Sequence, residues 1–85
     1  MRSLRVRIYR TDEFFRSFWA APPRVREKLL YDLPRILTLG RQRTFDPHLR
    51  ARIVDDWFLH FRYPEADEEY DPSSYILLRI AREFL

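Results

Sequence analysis

The sequence predicts an α+β domain in which an N-terminal strand and two helices precede a three-stranded antiparallel meander, with both helices packed on one face of the sheet. Three observations carry that prediction. Residues 4–9 alternate apolar with basic or polar side chains, residues 14–37 place apolar side chains at helical spacing, and from Leu49 onward the period returns to two. At 85 residues the chain is expected to form one domain, 1–85, because a second core would have almost nothing to bury.

Leu4, Val6 and Ile8 alternate with Arg5, Arg7 and Tyr9, which predicts a half-buried strand with a basic outer face. Thr11-Asp12 supplies helix N-cap chemistry, and Phe14, Phe15, Phe18 and Trp19 gather on one side of a short helix that Pro22-Pro23 stops. Proline is tolerated in a first helical turn, so a second helix is expected to begin near Pro23 and to follow Val25, Leu29, Leu33, Ile36 and Leu37. Pro34 leaves two outcomes open: a kinked helix, or one ending near Asp32, which caps a final turn closed by Gly40. Residues 41–48 read as a polar, basic loop. Leu49–Val54 reads as a strand and Asp55-Asp56 as a tight turn. Trp57, Leu59, Phe61 and Tyr63 alternate with Phe58, His60 and Arg62 in a further strand that Pro64 ends. Residues 64–72 hold five acids and no base, the composition of a solvated loop, and Tyr75–Ile80 completes the meander.

All but one of the 16 basic side chains are Arg, Lys28 being the exception, and against 13 acids they give a net charge of +3. A planar, permanently charged, bidentate donor suits phosphate, so this surface points to nucleic acid or an acidic partner. The average hides two unlike parts: without residues 64–72 the chain carries 16 basic against 8 acidic side chains. The absence of Cys excludes disulfides and thiolate metal sites, and two distant histidines make a catalytic metal improbable, so neither cofactor nor metal is expected. A single Gly argues against phosphate-cradling glycine loops. A hydrophobic content of 46 %, with 16 % aromatic, supplies a core that a disordered chain lacks. No apolar run approaches the ~20 residues of a membrane span, and a soluble cytoplasmic protein is expected.

No Ser-His-Asp or Cys-His arrangement is present to serve a nucleophile. The acidic run lacks the Gly and the alternation of a calcium loop. The arginines are more informative. Arg50 and Arg52 share one face of their strand, and His60 and Arg62 share one face of the next. Pairing through the Asp55-Asp56 turn can merge the two faces. Phe58 and Arg79 join the patch, whose ingredients can grip phosphates and stack an unpaired base; ordinary solvated outer-face residues give the same pattern. The basic connection adds Arg41 and Arg43.

The segment Val6-Arg7-Ile8-Tyr9-Arg10-Thr11-Asp12-Glu13-Phe14-Phe15, followed by Pro22-Pro23-Arg24-Val25-Arg26-Glu27-Lys28-Leu29-Leu30, resembles the opening of the RelE/ParE superfamily of toxin–antitoxin toxins. Arg52-Ile53-Val54-Asp55-Asp56-Trp57-Phe58-Leu59-His60-Phe61-Arg62-Tyr63 is similar to that family's central hairpin, closest to the HigB-like branch, and residues 77–82 look like its closing strand. The resemblance covers most of the chain in element order and spacing.

It implies a ribosome-dependent mRNA interferase that inhibits translation by using the RNA 2′-hydroxyl as internal nucleophile. Such chemistry needs a base, cations for the charged phosphorane and an acid for the leaving oxygen. On that reading Arg52, Arg62, Arg79 and Arg82 are the candidate catalytic cations, His60 handles a proton, and Arg41, Arg43, Arg50 and Phe58 bind nucleic acid. The implied partners are the ribosome, mRNA and a cognate antitoxin; Arg5 and Arg7, on a strand at the sheet edge, invite pairing with the last. Two departures stand against nuclease activity: Phe58 replaces the usual Arg after the Trp, and Arg82-Glu83-Phe84-Leu85 lacks a C-terminal His or Tyr. A gyrase-directed ParE-like or inactive relative, or an unrelated interaction domain, are the other readings.

Overall fold

Residues 7–42 and 48–83 are described by the computed structural model, and within them the predicted α+β architecture is present. In chain order the elements are β1 (Ile8–Arg10), α1 (Asp12–Ala20), α2 (Pro23–Thr38), β2 (Arg41–Gln42), β3 (Leu49–Val54), β4 (Trp57–Arg62) and β5 (Tyr75–Arg82). The sheet runs β1-β5-β4-β3-β2. The meander β3-β4-β5 is antiparallel, while β1 lies parallel to β5 and makes the sheet mixed. Leu4, Arg5 and Val6, read above as the start of the first strand, lie outside the described residues. Arg41-Gln42, read as loop, instead pairs with Arg50 and Leu49 as a short edge strand.

Both helices cover one face of the sheet. Val25, Leu29, Ile36 and Leu37 of α2 join Ala51, Ile53, Leu59, Phe61, Leu77 and Ile80 in one buried cluster with Phe14 and Phe18 of α1. The four aromatics of α1 therefore split: Phe14 and Phe18 are inside, whereas Phe15 and Trp19 face out, because a helix beside a sheet buries only the stripe that touches it. At Pro34 the helix kinks and continues: Asp32 leaves helical geometry (φ −118°, ψ 18°) and the helix runs on to Thr38. A proline ring crowds the carbonyl four residues back and offers it no N–H, so the preceding turn opens.

The outer edge of β5 explains how α1 is fixed. β1 is only three residues long, so β5 backbone groups beyond it need other partners. Thr11 meets this need, donating its hydroxyl to the carbonyls of Leu77 (3.0 Å) and Leu78 (3.1 Å) while accepting from Phe14 N–H as the helix N-cap. Nearly two helical turns on, Ser17 Oγ accepts the Ile80 N–H at 2.9 Å. α1 thus closes the edge that β1 leaves bare.

Two irregularities set which side chains face the helices. Pairing of β4 with β5 shifts between His60↔Arg79 and Phe61↔Leu77, leaving Leu78 as an extra residue. A bulge reverses strand parity, so Leu77 and Ile80 both point to the core and Arg79 points away. A second shift lies between Arg52 and Val54, next to the turn where Asp55 adopts φ 51°, a left-handed conformation that Asp tolerates.

Candidate functional site

The face turned away from the helices collects the charged side chains. Directly paired residues share a face of the sheet, and the register runs Arg41↔Arg50, Arg50↔His60 and His60↔Arg79. Four strands therefore present one continuous row, Arg41-Arg50-His60-Arg79, with neighbours separated by the inter-strand spacing of about 4.8 Å. Arg52↔Phe58↔Ala81 forms the adjacent row. The merging of the Arg50/Arg52 and His60/Arg62 faces expected from the sequence is observed, and β2 adds Arg41 to it. Arg43 lies outside the described residues.

Three guanidiniums in one row repel one another, and a carboxylate sits among them. Glu83, just past β5, is tied by its amide to the Asp56 carbonyl at 2.8 Å. Its Oε2 is ion-paired with Arg50, and its Oε1 lies 3.0 Å from His60 Nε2. His60 is only 4 % exposed, although it belongs to the open face. Arg50 also lies 4.9 Å over the centroid of Phe58, so that face of the ring is already covered by a guanidinium, and a base approaching there meets Arg50 first. Arg52 Nε donates to the Asp55 carbonyl at 2.7 Å, which points its guanidinium along the hairpin. Among the described residues Arg79 pairs with no carboxylate.

The other two nominated arginines are engaged elsewhere. Arg62 reaches into the acidic loop, where Glu68 takes it bidentately at 2.5 and 2.9 Å. Glu68 also accepts the Glu65 N–H, and these bonds, led by the guanidinium, lower its pKa from 4.5 to about 2. The pair raises the pKa of Arg62 in turn. Tyr70 of the same loop packs against Tyr9 with tilted rings, centroids 4.5 Å apart, so the solvated loop is anchored at two points beside the open face. Arg82 pairs with Trp57 across the sheet and so falls on the helix side, away from Arg79. It clamps Asp56 at 2.7 and 3.1 Å, which lowers that carboxyl's pKa, and lies over the Trp57 ring.

Glu83 is the site residue that reading the sequence missed. Its signal lies in strand parity, since Arg79, Ala81 and Glu83 are two apart. Among the described residues no group of His, Asp and Glu could hold a metal ion, and no helix is long and apolar enough to cross a membrane.

A chain from the crystal structure of the toxin–antitoxin complex RelBE2 of Mycobacterium tuberculosis superposes with a TM-score of 0.67, at 20 % identity, covering 94 % of this chain and all of that one. The fold is RelE-like. The solution structure of the conserved hypothetical protein HP0894 of Helicobacter pylori shares it, with a TM-score of 0.64 at 14 % identity over 92 % of this chain and 94 % of that one. No protein-family model and no curated protein matches the sequence. The RelE-like fold thus agrees with the family resemblance in the sequence as to architecture; at these identities it leaves the branch undecided.

Proposed function

We propose that this chain is the toxin of a toxin–antitoxin pair and acts as a ribosome-dependent mRNA interferase, a cytoplasmic endoribonuclease that inhibits translation. The observation that carries this reading is the row Arg41-Arg50-His60-Arg79 on the helix-free face of a RelE-like sheet. Burial of that face is not required for the core, so its cations are available to a polyanion. The hairpin sequence 52–63 favours the HigB-like branch.

In this reading the mRNA phosphate lies against Arg50, Arg52 and Arg79, whose guanidiniums stabilise the phosphorane as the 2′-oxygen attacks. Arg62 holds the acidic loop through Glu68 and serves at the rim, while Arg82 braces the hairpin turn. The partner is a cognate antitoxin. The exposed apolar side chains Phe15, Trp19 and Leu30, on the helix side, offer it a seat beyond the basic face.

The test is induction in bacteria with mapping of mRNA 5′ ends on stalled ribosomes. Growth arrest with new ends inside reading frames is the expected result. Intact mRNA with gyrase-linked DNA breaks would transfer the protein to the ParE-like reading, and unimpaired growth would remove it from the toxins altogether.

A further inference from the structure

The geometry points to Glu83 as the catalytic residue that takes the 2′-hydroxyl proton, with His60 as the positioning residue behind it. This assignment rests on the ribonuclease reading above. In-line cleavage needs a proton acceptor, and guanidiniums cannot serve at neutral pH. His60 is the imidazole of the face, yet with a side chain 5 % exposed it cannot reach a ribose; Glu83, 19 % exposed and 3.0 Å from its Nε2, can. Glu83 is also held in place. Its amide is fixed on the Asp56 carbonyl, one carboxylate oxygen is on Arg50, the other faces His60, and the small Ala81 occupies the position before it on the same face.

Charged groups from several strands surround the pair. Arg50 approaches from β3 and Arg79 stands opposite His60 on β5. Arg52 lies one row away, and Arg62, further along β4, is held by Glu68. A carboxylate so placed has cations on two sides where the phosphorane charge develops. The step balances without a co-reactant. Glu83 accepts the 2′-hydroxyl proton as the 2′-oxygen forms a bond to phosphorus and the bond from phosphorus to the 5′-oxygen breaks. The 5′-oxygen leaves with a proton from solvent, and Glu83 returns its own proton to solvent. The products are a 2′,3′-cyclic phosphate and a 5′-hydroxyl.

The experiment is single-turnover cleavage of ribosome-bound mRNA by the purified full chain, with E83Q, E83D and H60Q. Circular dichroism first identifies which Glu83 variant keeps the wild-type fold, and that variant is carried forward. A folded variant without the carboxylate, E83Q or E83A, is expected to cleave about 100-fold or more slowly, within the range of a lost general base, with E83D falling between that and wild type, while affinity for 2′-deoxy-substituted mRNA stays unchanged. E83A with added formate is expected to recover cleavage, which a purely structural role would not allow. H60Q is expected to shift the pH–rate profile without changing that affinity. A folded Glu83 variant that cleaves at the wild-type rate, or one that cleaves faster and binds RNA more tightly, would overturn the assignment while leaving the ribonuclease reading in place. Absence of cleavage by the wild-type protein would take down both.

Discussion

Replacing the single glycine of the chain tests the packing that carries the sheet. Gly40 does not have a positive φ, so it is not the left-handed helix cap that its position after α2 suggests; Leu39 ends the helix with φ −92° and ψ 3°. The reason for glycine is space. A Cβ at residue 40 would lie 2.4 Å from Phe61 Cζ and 3.1 Å from Cε1. Reaching ordinary contact requires the ring to retreat by about 1 Å, and a fully buried ring in a close-packed core has nowhere to go. Overpacking of this kind costs about 3 kcal/mol at the upper end of its usual range. Gly→Ala at a compatible φ returns about 0.5–1 kcal/mol by stiffening the unfolded chain. Gly40→Ala is therefore expected to lose about 2 kcal/mol, or about 8–16 °C in Tm for a domain of this size.

Thermal and urea unfolding of G40A, F61L and the double variant form the assay. F61L removes the clashing atoms, so the double variant should be more stable than the sum of the two losses predicts, by about 1–2 kcal/mol. A G40A protein as stable as wild type, or strict additivity, would refute the argument that contact with Phe61 excludes a side chain here.

Ser17→Ala removes the acceptor of the Ile80 N–H and is expected to cost about 1–3 kcal/mol, with faster hydrogen exchange confined first to the Ile80 amide; Ser17→Thr should retain most of it. Glu68 has a folded-state pKa of about 2 against an ordinary 4.5, so its contribution is complete above the ordinary value and is lost as pH falls towards 2. The Tm difference between wild type and Glu68→Gln should accordingly be constant at neutral pH and shrink between pH 4.5 and 2, and a gap that ignores pH would count against the Arg62–Glu68 clamp. Arg52→Ala and Arg79→Ala are each expected to lower cleavage by about 10²–10³ with little change in Tm, as for loss of one preorganised donor. Arg82→Ala, on the helix side, should retain cleavage, and equal losses in all three would remove the distinction between the two faces.

The fold was legible wherever one period ran uninterrupted. Alternation through Trp57–Arg62 and the helical spacing of Val25, Leu29 and Ile36 each report the face that enters the core, and those elements appear as read. What escaped depends on events that alternation cannot encode. The parallel pairing of β1 with β5 joins residues about as far apart as the chain permits, and β2 is too short to show any period. The bulge at Leu78 is a local insertion. It allows Leu77 and Ile80 to be buried together, which regular pleating forbids, and a reader who trusts the pleat misplaces one of them. The site was legible as a set of cations but not as an arrangement. Arg79 and Arg82 are three apart and fall on opposite faces, while Glu83 enters the set only once Arg79 is known to face outward.

That division of faces has a consequence for how the cationic row persists. Like charges placed directly opposite one another destabilise a sheet, and Arg41, Arg50 and Arg79 share a row with only His60 between the last two. Compensation is local and acidic: Glu83 meets Arg50, Glu68 meets Arg62, and Asp56 meets Arg82. Each acid lies at or beyond a strand end, on the turn, the loop or the chain after β5, and none lies within a strand. Strand interiors thus keep their guanidiniums aimed outward, while the connections supply counter-charge from the margin. The acidic loop of residues 64–72, read from its composition as a solvated loop, belongs to the same scheme. It lowers the repulsion of the face at Arg62 and leaves Arg79, at the β5 end of the row, without a carboxylate among the described residues, where a phosphate can take that place.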